Sequence, residues 1–156
     1  MTSYEIGLAV HIFGVMIFFG GALLVGVVFE TARQRDRPSE VALLLGLTRI
    51  GALIVVAGAV LVFGAGLWLA GEVDQSGEAW LRTSLGLFVV ALVLGALGGQ
   101  EPKKARRLAT RLACEGDEMT QELRLLLDDP LSRVANYGSS LLVVVILVLM
   151  VWQPGR

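Results

Sequence analysis

The 156-residue chain holds one imidazole, His11, inside the apolar run Leu8-Ala9-Val10-His11-Ile12-Phe13. An imidazole in such surroundings must find hydrogen-bond partners or spend its free nitrogen on a metal. Three roles are open to it. It can be a structural histidine bonded across helices, to a backbone carbonyl or to Glu5. It can be an axial ligand of haem b. It can also handle protons or touch a quinone. One histidine cannot ligate haem twice, so a second axial ligand would be Met150, a water, or His11 of a second copy. Met16 lies on the same helix, turned away from His11. Arg82 is the cation placed to meet a propionate or phosphate of a ligand near His11, although arginines near helix ends ordinarily reach back toward water.

The elements that must position these residues are four apolar stretches at about 6–29, 50–70, 83–99 and 135–152. About 20 apolar residues at 1.5 Å rise cross a hydrocarbon core of about 30 Å. The expected fold is therefore all-α: a polytopic membrane protein, built as one up-and-down bundle of four transmembrane helices over residues 1–156. A composition that is 55 % hydrophobic is well beyond what a soluble domain of this size needs for its core. On this reading His11 lies about five residues, roughly 8 Å, below one edge of the hydrocarbon.

Charge placement predicts the orientation. Of 13 Lys and Arg, 11 flank or fill the first and third connections: Arg33, Arg35, Arg37, Arg49, Lys103, Lys104, Arg106, Arg107, Arg111, Arg124 and Arg133. The second connection carries Glu72 and Asp74 instead. The positive-inside rule puts the basic connections in the cytoplasm and both termini outside. Tyr4, Trp68, Trp80 and Trp152 then fall at the outer interface, where amphipathic rings are favoured, and Tyr137 at the inner one. The opening Met1-Thr2-Ser3-Tyr4-Glu5 has no basic n-region, so no cleaved leader is expected. Cys114 reads as a reduced, incidental thiol of the third connection. No metal-ligand spacing, phosphate-binding glycine loop or nucleophile elbow is present, and nothing points to nucleic acid.

The 19 glycines carry a second pattern. Gly7, Gly14 and Gly21 recur every seven residues, which places them on the His11 face. Gly51 and Gly58, followed by Ala65, repeat the spacing in the second stretch. Ala91, Gly95 and Gly99 stand four apart in the third. Small residues at these intervals let helix backbones approach closely, the main means of packing in lipid. The fourth stretch is bulky all round and is expected at the bundle edge. Pro38-Ser39-Glu40 reads as a helix start leading directly into the second stretch. The connection 100–134 reads as a basic helix from Lys103 to Leu112, a break near Gly116, and a second piece over 118–127 that ends at Asp128-Asp129-Pro130. Leu108, Leu112, Leu123 and Leu126 give this connection an apolar side, as expected of a segment lying on anionic lipid.

An early histidine followed by Gly14 and Gly20-Gly21, with Arg49 opening the second stretch, resembles a family of small four-helix bacterial membrane proteins of unknown function. The ending Met150-Val151-Trp152-Gln153-Pro154-Gly155 is similar to that family's MV-x-K-P-G close, with Gln153 where lysine is usual. More distantly, the first stretch is similar to that of the HemJ-type protoporphyrinogen oxidase and of CopD-type copper-resistance proteins. The resemblance implies a bacterial plasma-membrane location, and the oxidase's first-span histidine, tied to haem, carries over only to His11. The expected function is a structural or accessory membrane subunit, acting by self-association or in a larger complex. The alternative is a b-type haem or redox protein using His11.

The orientation has a direct test. An impermeant thiol reagent added to intact cells should label a Ser76→Cys variant and spare native Cys114; the reverse pattern would invert the topology.

Overall fold

The computed structural model describes residues 2–72 and 78–153. Asp74 and Ser76 in the second connection, and Pro154 and Gly155 of the terminal motif, lie outside the described residues. Six helices follow one another: α1 (Ser3–Arg33), α2 (Pro38–Glu72), α3 (Ala79–Gly98), α4 (Gln100–Glu115), α5 (Gln121–Leu127) and α6 (Pro130–Trp152). No strand occurs among the described residues. Four helical segments are long and apolar enough to cross a membrane, and no more than 28 % of the most apolar window in any of them is buried within the protein. The rest of that apolar surface, including Leu53, Val60 and Leu141, faces outward and needs lipid as its solvent.

Three helices, α1, α5 and α6, begin at a side-chain cap. Thr2 and Glu5 form a reciprocal capping box at the start of α1. Asp129 accepts from the Ser132 N–H at 2.7 Å, with Pro130 at the first position of α6. Pro38 opens α2, which continues unbroken through the second apolar stretch, as the sequence predicts.

The bundle is two antiparallel hairpins, α1 with α2 and α3 with α6. The first is a glycine zipper. A Cβ on Gly14 would lie 2.8 Å from Leu61 Cβ and 3.0 Å from Val62 N; one on Gly21 would lie 2.8 Å from Val55 N. A Cβ on Gly58 would strike the backbone of Phe18, and one on Gly7 the ring of Trp68. Gly51 faces Val25 and the Gly21 carbonyl. The heptad glycines are therefore spent within one chain, between α1 and α2.

The second hairpin uses polar contacts as well. The Ser139 hydroxyl donates to the Ala91 carbonyl at 2.9 Å, and Gly95 lies beside Ser139. Gly98, rather than Gly99, makes the close approach: a Cβ there would meet Asn136 Oδ1 at 2.6 Å. Gly99 instead joins α3 to α4, because α3 ends one residue before it. The small residues Ser132, Ala135 and Ser139 of α6 face α3, so α6 has a packing side as well as a lipid side. The two hairpins meet where Phe18, Ala59, Phe88 and Ile146 pack together.

At the basic end α4 and α5 fold onto the first hairpin. Ala105, Ala109, Leu123 and Leu127 are fully buried against Phe29, Ala32, Val41 and Leu45. The apolar side of the connection is thus covered by the extended ends of α1 and α2 and does not rest on lipid, because those helices project past the apolar stretches far enough to receive it. Polar ties fix the arrangement. Asp117 accepts from the Ser39 hydroxyl and backbone N–H, both at 2.7 Å, and these bonds hold its carboxyl below the usual carboxylate range. Arg124 donates to the Arg33 carbonyl at 2.9 Å and pairs with Asp36 at 2.7 Å. Arg33 pairs with Asp128 at 2.6 Å and with Glu30 at 3.1 Å. Cys114 is exposed.

Glycines that touch backbone should respond oppositely to those facing open space. Gly58→Ala should lower the thermal transition in detergent by the equivalent of about 1–3 kcal/mol, the usual cost of overpacking. Gly20→Ala, where nothing lies within 4 Å, should leave it unchanged or raise it. Equal tolerance at both positions would remove the zipper as the basis of the first hairpin.

Candidate functional site

At the end away from α4 and α5, the hairpins diverge around a cavity of about 250 Å³. All four long helices contribute to it: His11 and Phe18 from α1, Gly66 from α2, Arg82, Ser84 and Phe88 from α3, and Met150 from α6. The three side chains singled out by sequence, His11, Arg82 and Met150, thus line one space. The up-and-down order of the helices brings the start of α1, the end of α2, the start of α3 and the end of α6 to the same end.

His11 is half-buried, and its Nδ1 lies 3.0 Å from the Val62 carbonyl of α2. A carbonyl only accepts, so Nδ1 must carry the proton in the neutral ring. Nε2 is then the bare nitrogen, and no protein partner meets it among the described residues. Gly66 makes this possible: a Cβ there would sit 3.2 Å from the imidazole Cε1 and 3.3 Å from Nδ1. Glu5, the other partner open to His11 in the sequence, is engaged at the helix cap. Backbone anchoring of one ring nitrogen is the same device that orients ligating histidines by holding their tautomer.

Arg82 is exposed at the cavity's rim, with no ion pair among the described residues. Met150 is half-buried and joins the cluster around Phe18 and Phe88. Met16 is 66 % exposed and points away, as expected from the sequence. No group of three His, Cys, Asp or Glu able to hold a metal ion occurs among the described residues.

Ser84 is the residue that sequence reasoning missed. It is 1 % exposed, lines the cavity, and its hydroxyl has no hydrogen-bond partner. One turn earlier Trp80 is also buried, with its indole N–H unpaired, so this ring turns into the bundle and not outward toward lipid. Both follow from the inward face of α3, which runs Trp80, Ser84, Phe88 and Ala91 at intervals of four, four and three. That spacing was readable; the missing partner was not. A helical serine ordinarily bonds the carbonyl four residues back, as Thr83 does here to Ala79 at 2.8 Å. Ser84 does not, and its hydroxyl remains available to whatever enters the cavity.

The cavity is therefore apolar along its length, with one hydroxyl, one bare imidazole nitrogen and one guanidinium gathered toward one end. Among the described residues no carboxylate or thiol lines it. Such a lining suits an amphiphile whose oxygen-bearing head meets these groups.

Removing the Ser84 hydroxyl should leave the ligand-free protein as stable as before or more so, since an unpaired buried donor costs free energy. Ser139→Ala, which breaks the bond to Ala91, should destabilise it by about 1 kcal/mol. Thermal transitions of the two variants in the same detergent make the comparison; a larger loss at Ser84 would show that its hydroxyl is already satisfied.

A family model described as "Predicted integral membrane protein (DUF2269)" matches residues 6–154. No curated protein and no solved structure matches the chain. The distant likeness to protoporphyrinogen oxidase and copper-resistance proteins is not shown by these matches. The chain belongs to this family of integral membrane proteins, whose function is unknown.

Proposed function

We propose that the protein is an accessory component of the plasma membrane that holds a lipid-soluble amphiphile between its two hairpins. The four spans act as one domain, with the α4/α5 end on the cytoplasmic side and both termini outside. The slim apolar body of the ligand lies against Phe18 and Phe88. Its oxygen-bearing head meets the Ser84 hydroxyl and His11 Nε2, with Arg82 beside any negative charge. The observation that carries this reading is the Ser84 hydroxyl, buried without a partner on the wall of a cavity that His11 also lines. A holding role is favoured over catalysis because the described lining residues are apolar save for His11, Arg82 and Ser84, with no carboxylate or thiol among them beside the imidazole.

A second reading, haem b, is supported by the anchored imidazole, which leaves Nε2 as the axial donor, with Met150 on the same cavity and Arg82 for a propionate. Bound haem would supply one-electron chemistry. The volume favours the slimmer ligand: about 250 Å³ lies below the roughly 300–1,000 Å³ of ordinary small-molecule pockets. Self-association or membership of a larger complex has less support, since the heptad glycines that would serve it are spent inside the chain.

One preparation separates these readings. Protein purified in mild detergent should release a stoichiometric lipophilic molecule detectable by mass spectrometry. His11→Ala and Arg82→Gln should each lower its retention roughly tenfold while helix content is unchanged. A Soret band abolished by His11→Ala would establish the haem reading instead. Folded, colourless and ligand-free wild-type protein from native membranes would defeat both.

A further inference from the structure

A second recess, unrelated to the cavity around His11, lies at the basic end. It is an open groove of about 490 Å³ between α2 and α4, lined by Ala42, Gly46, Arg49, Arg106, Arg107 and Thr110. Three of its six residues are arginines, and none is acidic. Five of the surrounding cations are matched: Arg33 with Asp128, Arg35 with Glu40, Lys104 with Glu101, Arg111 with Glu115 and Arg124 with Asp36; Lys103 and Arg133 have no ion pair among the described residues either, but they do not gather in a recess. Arg49, Arg106 and Arg107 have no ion pair among the described residues, although Arg106 is half-buried. The Thr110 hydroxyl donates to the Arg106 carbonyl at 2.9 Å, so the guanidinium N–H groups are the donors left for a ligand. Ala42 and Gly46 keep the floor low; a Cβ on Gly46 would have nothing within 4 Å.

The position of the groove identifies its occupant. Arg49 stands directly ahead of the apolar stretch of α2. Leu53, Val56 and Val60 follow it at four, seven and eleven residues, on the same helix face. They are 70 %, 60 % and 66 % exposed. A cationic groove therefore tops an outward apolar stripe, at the level where an acyl chain meets its headgroup. Guanidinium forks match the oxygens of a phosphate, and basic pockets at this level suit anionic headgroups. We infer that Arg49, Arg106 and Arg107 form a specific site for the phosphate of an anionic glycerophospholipid, with one acyl chain lying along Leu53, Val56 and Val60. The basic connection then engages lipid through this groove, while the apolar side of α4 remains packed on α2.

The test is lipid binding by delipidated full-length protein, followed by native mass spectrometry in detergent. Phosphatidylglycerol should bind at least about tenfold more tightly than phosphatidylcholine. An Arg49→Gln/Arg107→Gln variant should lose that preference, while Lys103→Gln/Arg133→Gln, with the same change in net charge, should keep it. Gly46→Leu fills the groove without altering charge and should also abolish the preference, so the result does not depend on one variant's folding. Equal loss in both double variants would reduce the effect to diffuse attraction and overturn the site. Inorganic phosphate that binds the wild type and is not displaced by phosphatidylglycerol would show a soluble-anion site and overturn the lipid assignment.

Discussion

The contact on which the rest of the structure depends is the backbone approach of α1 to α2. In lipid, apolar side chains gain little by leaving the solvent for one another, so helices associate through close van der Waals contact and a few polar bonds. Gly14, Gly21, Gly51 and Gly58 supply that contact by removing side-chain bulk where two backbones must pass. The imidazole of His11 reaches a carbonyl of the neighbouring helix only because this approach has been made. Val62 and Gly66 lie one and two turns beyond Gly58 along α2, so the zipper that joins the helices also delivers the ring's hydrogen-bond acceptor and the space beside it. Packing and site are consequences of one set of small residues.

The second hairpin is built differently, and the difference leaves room. Its closest approaches are gathered toward the α4 end, at Gly95 with Ser139 and Gly98 with Asn136. Toward the start of α3 the inward residues are large or polar: Trp80, Ser84 and Phe88. Phe18 and Phe88 meet with ring centroids 5.9 Å apart and form the floor on which the hairpins touch. Beyond that floor the helices diverge into the cavity. Its depth is set by how far the glycine contacts of each pair extend, which is why the opening lies at the end where α3 and α6 lack them.

Much of this was legible in the sequence. The four spans, the α2 start at Pro38, the grouping of glycines on one face and the inward placement of His11 follow from hydropathy and from periods of seven and four. Depth alone predicted that Arg82 and Met150 would lie at the same end as His11. What could not be read were matters of partnership. Gly99 and Gly98 stand four and three residues after Gly95, so spacing suits either, yet α3 ends before Gly99, and Gly98 is the residue that meets Asn136. The apolar side of the 100–134 connection was evident, but periodicity does not say whether lipid or protein covers it. Trp80 fits an aromatic belt by position, and only the rotation of α3 turns it inward. Whether Ser84 had a partner required the neighbouring helices to be in place.

The basic end shows how one helical connection can fix two long helices. Asp117 presents its carboxylate to the Ser39 N–H at the start of α2, where unsatisfied donors and the helix dipole favour an anion. Arg124 presents its guanidinium to the Arg33 carbonyl at the end of α1, where the dipole favours a cation. One segment therefore caps both helix ends at the turn of the first hairpin with the sign that each requires. Gly116, at φ 133°, and Asp117, at φ 57°, make the turn that brings the carboxylate round. With Arg33 and Arg124 committed to these ties, the guanidiniums of Arg49, Arg106 and Arg107 have neither a helix end nor a carboxylate to serve. What distinguishes these three is that they gather in a single groove, with no acid in its lining, at the foot of an exposed apolar stripe, which is the arrangement that the proposed lipid phosphate would neutralise.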